Sequence, residues 1–199
     1  MPLVTIEGLD GAGKTTLAAG LAEALPHAVL LREPGGVAAS EHVRALVKDP
    51  ALTIGPRAEA LLYAAARAQL VEERLLPELQ EGRLVLLDRF VDSSLAYQGA
   101  GRELGIAAVA AINAFGTGAL TPDLTLLLRI DPAAGRARQA GRGEAADRLE
   151  LADDAFFGRI AAAYDGLAAG EPDRFVVLDA TKPPQELLGD ALNAISELP

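Results

Sequence analysis

Short runs of apolar residues alternate along this chain with longer segments in which apolar positions recur at helical spacing. Five of the short runs are rich in leucine and β-branched residues and show no strict alternation of polar and apolar side chains. Such runs are typical of strands that are buried on both faces of a sheet. We assign strands to Leu3–Ile6, Ala28–Leu31, Arg83–Asp88, Leu124–Leu128 and Phe175–Leu178.

The segments between these strands predict helices. Strands that alternate with helices indicate an α/β protein, here a three-layer α/β/α fold around a five-stranded parallel sheet. The frequent alanines would suit an all-α fold, but the five strand-like runs argue against it. No internal repeat or long linker interrupts the chain, so we expect one domain spanning residues 1–199. Helices are expected over Thr15–Leu25, Ser40–Val47, Pro56–Gln80, Ile106–Phe115, Pro132–Arg142, a region ending near Ala169, and Gln185–Leu198.

Three local signals refine these elements. Ser40 is placed to cap the helix that runs towards Val47. Pro77 is expected to end or kink the long helix, because proline lacks the backbone N–H that a helix needs. Gly99 and Gly101 predict a loop before the Ala-rich helix.

Composition excludes several functions. The formal net charge is -10, from 18 basic and 28 acidic residues, which argues against binding to nucleic acid polymers or anionic membranes. The chain has no cysteine and only two histidines, His27 and His42, so disulfides, thiolate nucleophiles and multi-histidine metal sites are excluded. No apolar stretch reaches the ~18 residues of a membrane span, and the N-terminus lacks a basic signal region. We therefore expect a cytoplasmic enzyme.

The segment Gly8–Thr15 matches the phosphate-binding loop (P-loop) pattern G-x-x-x-x-G-K-[ST], with a strand before it and a helix after it. Lys14 is expected to reach the β- and γ-phosphates, and the hydroxyl of Thr15 to bind Mg²⁺. Thr181–Pro184 does not complete the N-K-x-D pattern of a GTPase, which argues against a GTPase and favours transfer to a small acceptor. The nucleotide-binding residues are predicted to be Gly8, Asp10, Gly11, Ala12, Gly13, Lys14, Thr15 and Thr16.

Five ordered motifs resemble those of bacterial thymidylate kinases and span nearly the whole chain. They are Gly8–Thr16, Arg32–Gly36, Asp88–Phe90 with Ser94, Tyr97, Gln98 and Gly99, Pro122–Thr125, and Asp147–Glu150. The resemblance implies transfer of the γ-phosphate of ATP to dTMP, giving dTDP, with Mg²⁺ as cofactor. It also implies the P-loop kinase fold with a small arginine-rich lid at about residues 136–150, and a homodimer. The Pro56–Gln80 and Ile106–Phe115 helices could form the dimer interface, or could pack only within the core.

Tyr63 and Arg67 lie four residues apart on the long predicted helix and so share one face. An aromatic ring can stack on a base and a guanidinium can donate to a base carbonyl. The resemblance assigns these two roles at thymine, although a core tyrosine beside a surface arginine would show the same spacing. Arg44 and Arg89 resemble the clamps on the acceptor phosphate, since arginine grips phosphate oxygens in pairs. Arg44 could equally be an exposed helix arginine.

The remaining acceptor-side roles come from the resemblance. Asp10 would hold the 3′-hydroxyl of the acceptor sugar, and Tyr97 would crowd the 2′ position. Ser94 would contact the base edge, and Gln98 belongs to the same motif. Asp88, at the end of a strand, is placed to hold Mg²⁺ through water, or alternatively to cap a helix or pair with Arg89. Two smaller expectations are that Asp179–Thr181 lies near the adenine and that the bond before Pro34 can be cis.

The lid is predicted from charge and glycine content. Five arginines and three acids fall between Arg129 and Arg148. The family supplies a transition-state arginine from the P-loop or the lid, and position 11 is glycine here. Arg142 and Arg148 are therefore the candidate catalytic arginines, beside Lys14 and Arg89, with Arg138 next. The alternative is a solvated arginine face on a surface helix.

Two other functions stay open at this point. One is another P-loop kinase acting on a different nucleotide, a nucleoside or a non-nucleotide alcohol. The other is a non-catalytic ATP-binding regulatory protein, which would need neither the Asp88–Arg89 pair nor the lid arginines.

Overall fold

The computed structural model describes residues 2–141 and 147–198. The strands within them are β1 (Leu3–Gly8), β2 (Val29–Arg32), β3 (Val85–Asp88), β4 (Leu124–Arg129) and β5 (Phe175–Asp179). All pair in parallel, in the order β2–β3–β1–β4–β5. The predicted α/β class and each predicted strand are confirmed, with ends that differ by a few residues.

Strand β1 lies at the centre of the sheet, with β3 on one side and β4 on the other. Ile6 stands opposite Asp88, and Gly8 stands opposite Leu128. The chain winds outwards from β1 in both directions, so the carboxyl ends of β1 and β3 lie at the switch point of the sheet. Open α/β sheets bind their ligands at such a point.

Helices cover both faces of the sheet. The helix Lys14–Ala24 packs on Pro184–Ser196, while Pro56–Leu70 packs on both Ala38–Lys48 and Ile106–Thr117. One apolar core contains Ile6, Leu126 and Phe156, and a second contains Leu3, Leu70 and Leu87. The helices are α1 (Lys14–Ala24), α2 (Ala38–Lys48), α3 (Pro56–Leu70), α4 (Leu76–Gln80), α5 (Val91–Ser94), α6 (Ile106–Thr117), α7 (Pro132–Ala140), α8 (Asp154–Gly170) and α9 (Pro184–Ser196).

The long helix was predicted to end or kink at Pro77, but its regular α-helical structure is interrupted before that residue. A π-helical turn, Val71–Leu75, separates α3 from α4, and Pro77 lies in the first turn of α4. The first turn of a helix tolerates proline because its N–H groups have no partner inside the helix. The interruption therefore falls before the proline.

Two of the local predictions were wrong. Ser40 lies inside α2 rather than at its start, and its hydroxyl donates to the Ala66 carbonyl of α3 at 2.7 Å. Gly99 and Gly101 form no loop, because they belong to a π-helical segment, Leu95–Gly101. A Cβ at Gly101 would lie 2.7 Å from the Phe156 ring, so this glycine permits close packing rather than a turn. No helix among the described residues is long and apolar enough to cross a membrane.

Candidate active site

A cavity of about 450 Å³ opens at the carboxyl ends of β1 and β3. The P-loop forms one wall, and the segment after β3 forms another. Most of the predicted site residues line this cavity. They are Asp10, Gly11, Gly13, Lys14, Thr15, Thr16, Arg44, Tyr63, Arg67, Asp88, Arg89, Ser94, Tyr97 and Gln98.

The P-loop is tightly packed against helix α7. Gly11 has a φ of 82°, and a Cβ there would lie 2.0 Å from the carbonyl oxygen of Gly135. Position 11 therefore has no room for any side chain. Gly8 and Ala12 are predicted loop residues that do not line the cavity; the carbonyl of Gly8 instead accepts a hydrogen bond from Arg89 at 3.3 Å.

Lys14 is buried at the floor of the cavity. Its Nζ donates to the Leu9 carbonyl at 2.8 Å and lies 3.8 Å from Asp10 Oδ1. Burial, aided by the positive charge of Arg89, lowers the pKa of Lys14 to about 8, although Asp10 opposes the shift. An anion that entered the P-loop would favour the charged form of this lysine.

The structure brings Thr15 and Asp88 together, as the metal-site prediction requires. The Thr15 hydroxyl donates to Asp88 Oδ2 at 3.3 Å. Asp88 Oδ1 is buried without a hydrogen-bond partner in the described part of the chain. Hydroxyl and carboxylate oxygens are the ligands that Mg²⁺ prefers, so this pair fits such an ion. No cluster of three or more His, Cys, Asp or Glu side chains forms a metal site within residues 2–141 and 147–198.

Asp10, Arg89 and Tyr97 form a polar group at the cavity wall. The Arg89 guanidinium is ion-paired with Asp10 Oδ1, and the Tyr97 hydroxyl donates to Asp10 Oδ2 at 2.9 Å. Burial alone would raise the pKa of Asp10, but Arg89 and then Lys14 hold it well below its usual range. Arg89 also lies over the Tyr97 ring, 5.0 Å from its centroid. A charged arginine is thus fixed beside the P-loop.

Arg44 and Tyr63 face the cavity from helices α2 and α3. Arg44 donates to the Pro34 carbonyl at 2.9 Å, and Arg32 donates to the same oxygen at 3.3 Å. Burial and then the charge of Arg32 lower the pKa of Arg44. Burial also raises the pKa of Tyr63 above its usual range, so this ring stays neutral. The peptide bond between Glu33 and Pro34 is cis.

Arg67 is almost fully buried, with 2% of its surface exposed. Its guanidinium donates to Glu33 at 2.7 Å, Ser94 at 2.9 Å and the Phe90 carbonyl at 2.9 Å, and it also bonds to Asn113. Burial raises the pKa of Glu33, while Arg67 opposes this. Protein groups thus hold Arg67 firmly, and Glu33 and Asn113 are partners that the predicted site did not include.

Gln98 contacts a buried carboxylate, Glu59, that was not predicted. Gln98 Nε2 donates to Glu59 at 2.9 Å, and Arg102 does so at 3.1 Å. Arg148 is ion-paired with the same carboxylate at 2.7 Å, and its Nε donates to the Val47 carbonyl at 3.0 Å. Arg148 therefore does not line the cavity, although its neighbours Asp147, Leu149 and Glu150 do.

Only some of the other residues predicted for the lid are described in the structure. Arg142 lies outside the described residues. Arg138 donates to the Ala180 carbonyl at 2.8 Å, which joins α7 to the turn after β5. Lys48 of α2 pairs with Asp147 at 3.0 Å.

A family model described as thymidylate kinase matches residues 6–190. The chain belongs to the thymidylate kinase family. A thymidylate kinase of Deinococcus radiodurans is 52% identical over 198 residues, covering 98% of this chain and 96% of that protein. One from Lactobacillus delbrueckii is 48% identical over 186 residues, covering 90% and 88%.

A crystal structure of thymidylate kinase from Ehrlichia chaffeensis has a TM-score of 0.81 with this chain at 26% identity, covering 98% of both. The P-loop kinase fold expected from the sequence is thereby confirmed. As a member of the thymidylate kinase family, the chain is an enzyme that transfers phosphate.

The thymidylate kinase motifs pointed to most of the cavity but missed several buried partners. Glu33 and Ser93 lay within or between the motifs and carried no assigned role. Glu7 had a visible signal, because it is an acid within an otherwise apolar strand. Glu59 had none, since an acid in the first turn of a helix is common.

Proposed function

We propose that this chain transfers the γ-phosphate of ATP to dTMP, with the residues of the 450 Å³ cavity in the roles given below. The observation that carries the proposal is the meeting of two half-sites in one cavity. Lys14 and Thr15 belong to the P-loop, while Arg89 and Tyr63 come from the acceptor side. A cavity lined by both can hold a donor and an acceptor phosphate next to each other.

On the donor side, Lys14 and the backbone N–H groups of the loop bind the ATP phosphates. Thr15 and Asp88 would hold Mg²⁺, which supplies positive charge to the phosphate oxygens when bound. The turn Asp179–Thr181 lies near the adenine.

On the acceptor side, Arg89 and Arg44 bind the phosphate of dTMP. Tyr63 stacks on thymine, and Arg67 presents its fixed guanidinium edge with Ser94 and Gln98 beside it. Asp10 holds the 3′-hydroxyl, and Tyr97 restricts the 2′ position. Because Asp10 and Arg89 already pair, the acceptor site is preorganised before dTMP enters.

The reaction needs no general base. A nucleoside monophosphate has a second pKa near ~6, so its phosphate is mostly the dianion at neutral pH. The task of the protein is to align two polyanions and to offset their repulsion.

We assign the transition-state arginine to the lid, because a side chain at position 11 has no room beside Gly135. Arg142 and Arg148 are the candidates. Arg148 would first have to leave Glu59, its partner at 2.7 Å, whereas Arg138 is bonded to the Ala180 carbonyl. Arg142 and Arg148 are therefore tested side by side, with Arg138 next.

We also propose a homodimer, located in the cytoplasm. Leu61 on α3 and Phe115 on α6 are 56% and 93% exposed, and the two helices pack against each other. A second copy would cover these apolar side chains, as the family resemblance implies.

The experiment is an acceptor panel. Purified protein with Mg·ATP is given dTMP, dUMP, dCMP or dGMP, and release of ADP is followed. The proposal predicts the highest kcat/KM with dTMP. Faster turnover of another acceptor would favour a different small-acceptor kinase, and no turnover with any acceptor would favour a regulatory ATP-binding protein. Arg74→Ala, which removes an ion pair with Glu78 away from the cavity, is the control variant, and it should show the same order of acceptors as the unaltered protein.

A further inference from the structure

Glu7 is an acid in the central strand β1, and its side chain is fully buried. Its Oε1 accepts a hydrogen bond from the Phe90 N–H at 2.7 Å. Its Oε2 accepts the hydroxyls of Ser93 at 2.5 Å and Tyr164 at 2.9 Å. A buried carboxyl is costly unless donors satisfy it, so three donors on one carboxyl make a built arrangement. The proposed function gives Glu7 no contact with a substrate.

The first link from Glu7 to the site is through the backbone of Arg89. Arg89 has a φ of 71°, in the left-handed region that residues with a Cβ avoid. Its own N–H donates to the Ile6 carbonyl at 3.0 Å, and the next N–H, of Phe90, donates to Glu7. A strained residue persists only where its surroundings hold it on several sides. Strand β1 supplies both acceptors that restrain this backbone: the Ile6 carbonyl and the Glu7 side chain.

The second link is through the side chain of Ser93. A serine hydroxyl has one hydrogen to donate, and Ser93 donates it to Glu7. The lone pairs of Ser93 Oγ are then left to accept Nη1 of Arg89 at 3.1 Å. Asp10 holds the other end of the same guanidinium. Besides its bond to the Gly8 carbonyl, the Arg89 guanidinium is therefore held by Asp10 at one end and by Ser93 at the other, and Ser93 connects it to Glu7.

We propose that Glu7 is a positioning residue that holds Arg89 in place for the acceptor phosphate, through the hydroxyl of Ser93 and the N–H of Phe90. This inference rests on the proposed role of Arg89 in binding dTMP. The steady-state KM values for dTMP and for ATP are the readout, because misplacing Arg89 weakens binding of the acceptor alone. Loss of folded protein would instead lower the apparent kcat and leave both KM values unchanged.

Two substitutions break the link from opposite ends. Glu7→Gln keeps the side-chain volume and an acceptor for Phe90, but it removes the acceptor that the Ser93 hydroxyl uses. Ser93→Ala removes the bridging oxygen itself. Each is expected to raise the KM for dTMP on the order of tenfold, with less than about a twofold change in the KM for ATP. The double variant is expected to resemble either single variant, because both break one connection.

Tyr164→Phe is the matched control. It removes the third donor to Glu7 in the same buried cluster. The Tyr164 hydroxyl also lies 3.1 Å from Ser93 Oγ, but it makes no hydrogen bond to Arg89 and is not part of the connection between Glu7 and that guanidinium. Its KM for dTMP is expected to match that of the unaltered enzyme, with some loss of stability. A rise equal to that of Glu7→Gln would show that any damage to the cluster acts alike, and would overturn the inference.

Arg89→Lys separates this inference from the proposed function. A large rise in the KM for dTMP supports the assignment of Arg89. If Arg89→Lys shows that rise, two outcomes would overturn the positioning role of Glu7. One is that Glu7→Gln and Ser93→Ala change the KM for dTMP and the KM for ATP equally. The other is that the effects of the two substitutions add in the double variant. An unchanged KM for dTMP in Arg89→Lys would remove the acceptor assignment and the inference with it.

Discussion

Arg67 and Arg89 are both buried arginines, yet their surroundings suit different tasks. Arg67 is anchored by Glu33, Ser94, Asn113 and the Phe90 carbonyl, so protein groups occupy most of its N–H donors and its guanidinium is fixed in place. Arg89 lies beside Asp10 at the cavity wall, where an incoming anion can compete for it. The resemblance to thymidylate kinases predicted that both would bind the acceptor, and their residue type is compatible with that role. The number of protein partners around Arg67 could not be predicted, because they come from three separate segments: the turn after β2, the segment after β3 and helix α6.

Glu7 predicts a pH dependence of stability. Burial and then the charge of Asp92 raise its pKa to about 7, against the opposing effects of the Ser93 hydrogen bond and the charge of Arg89. The unfolded chain ionises Glu7 at a lower pH than the folded protein does. The stability that protonated Glu7 contributes is therefore fully present below about pH 4.5 and is lost as the pH rises through about 7.

Urea unfolding of the wild type and of Glu7→Gln at pH 5, 6, 7 and 8 checks this. Glutamine does not titrate, so the wild type should lose stability relative to the variant across that range, by an amount on the order of 1–3 kcal/mol. Two curves that stay parallel would show that Glu7 keeps an ordinary pKa in the folded protein.

The lid arginines give a second prediction for single residues. Replacing Arg142 or Arg148 by alanine is expected to cut kcat at least about 100-fold in at least one variant, with a modest change in substrate affinity, because a transition-state contact is lost. Steady-state rates with Arg136→Ala as the control provide the measurement, since Arg136 pairs with Asp154 at the surface of α8. Full activity in both variants would place the transition-state charge elsewhere.

Among the secondary-structure elements, the strands were predictable and the region after β3 was not. Five apolar runs without alternation indicated a buried parallel sheet, and five strands are found within the described residues. By contrast, Val91–Ser94 and the π-helical segment Leu95–Gly101 were not predicted. Glycine composition indicated a loop there, because a sequence does not show that Gly101 faces a ring from α8. Tertiary packing decided the structure of that segment.

Gly101→Ala tests this explanation. The new Cβ would lie 2.7 Å from Phe156, whose ring is wedged against Phe157 with centroids 5.4 Å apart. We expect a loss of stability of about 1–3 kcal/mol from overpacking, measured by urea unfolding.

Gly166→Ala is the matched comparison within helix α8. A Cβ at Gly166 meets nothing within 4 Å, so alanine should stabilise the helix by about 0.5–1 kcal/mol. Equal effects of the two substitutions would contradict the packing account of Gly101.

For the whole molecule, the net charge of -10 predicts weak binding to nucleic acid polymers, but it gives no information about the charges inside the cavity. The cations at the cavity include Lys14, Arg44, Arg67 and Arg89, each of which is held by a carboxylate or a backbone carbonyl. The sequence predicted the fold class, the P-loop and most of the lining residues. It could not place Arg148 beside Glu59, because that contact joins residues 89 positions apart.

The proposed homodimer is the prediction at this scale. Phe115→Asp should shift the protein from dimer to monomer in sedimentation velocity, because it puts a charge at the most exposed large apolar side chain among the described residues. Val177→Asp is the control, since Val177 is 46% exposed on β5 at the edge of the sheet. Equal masses for both variants and the wild type would contradict an interface on α6.

The most direct measurement is a crystal structure with dTMP and a non-hydrolysable ATP analogue bound together. We expect the dTMP phosphate to lie against Arg89, its base against Tyr63 and its 3′-hydroxyl at Asp10, with the phosphates of the analogue in the P-loop. A dTMP molecule bound outside this cavity, or one that leaves Arg89 and Asp10 without a ligand contact, would contradict the account.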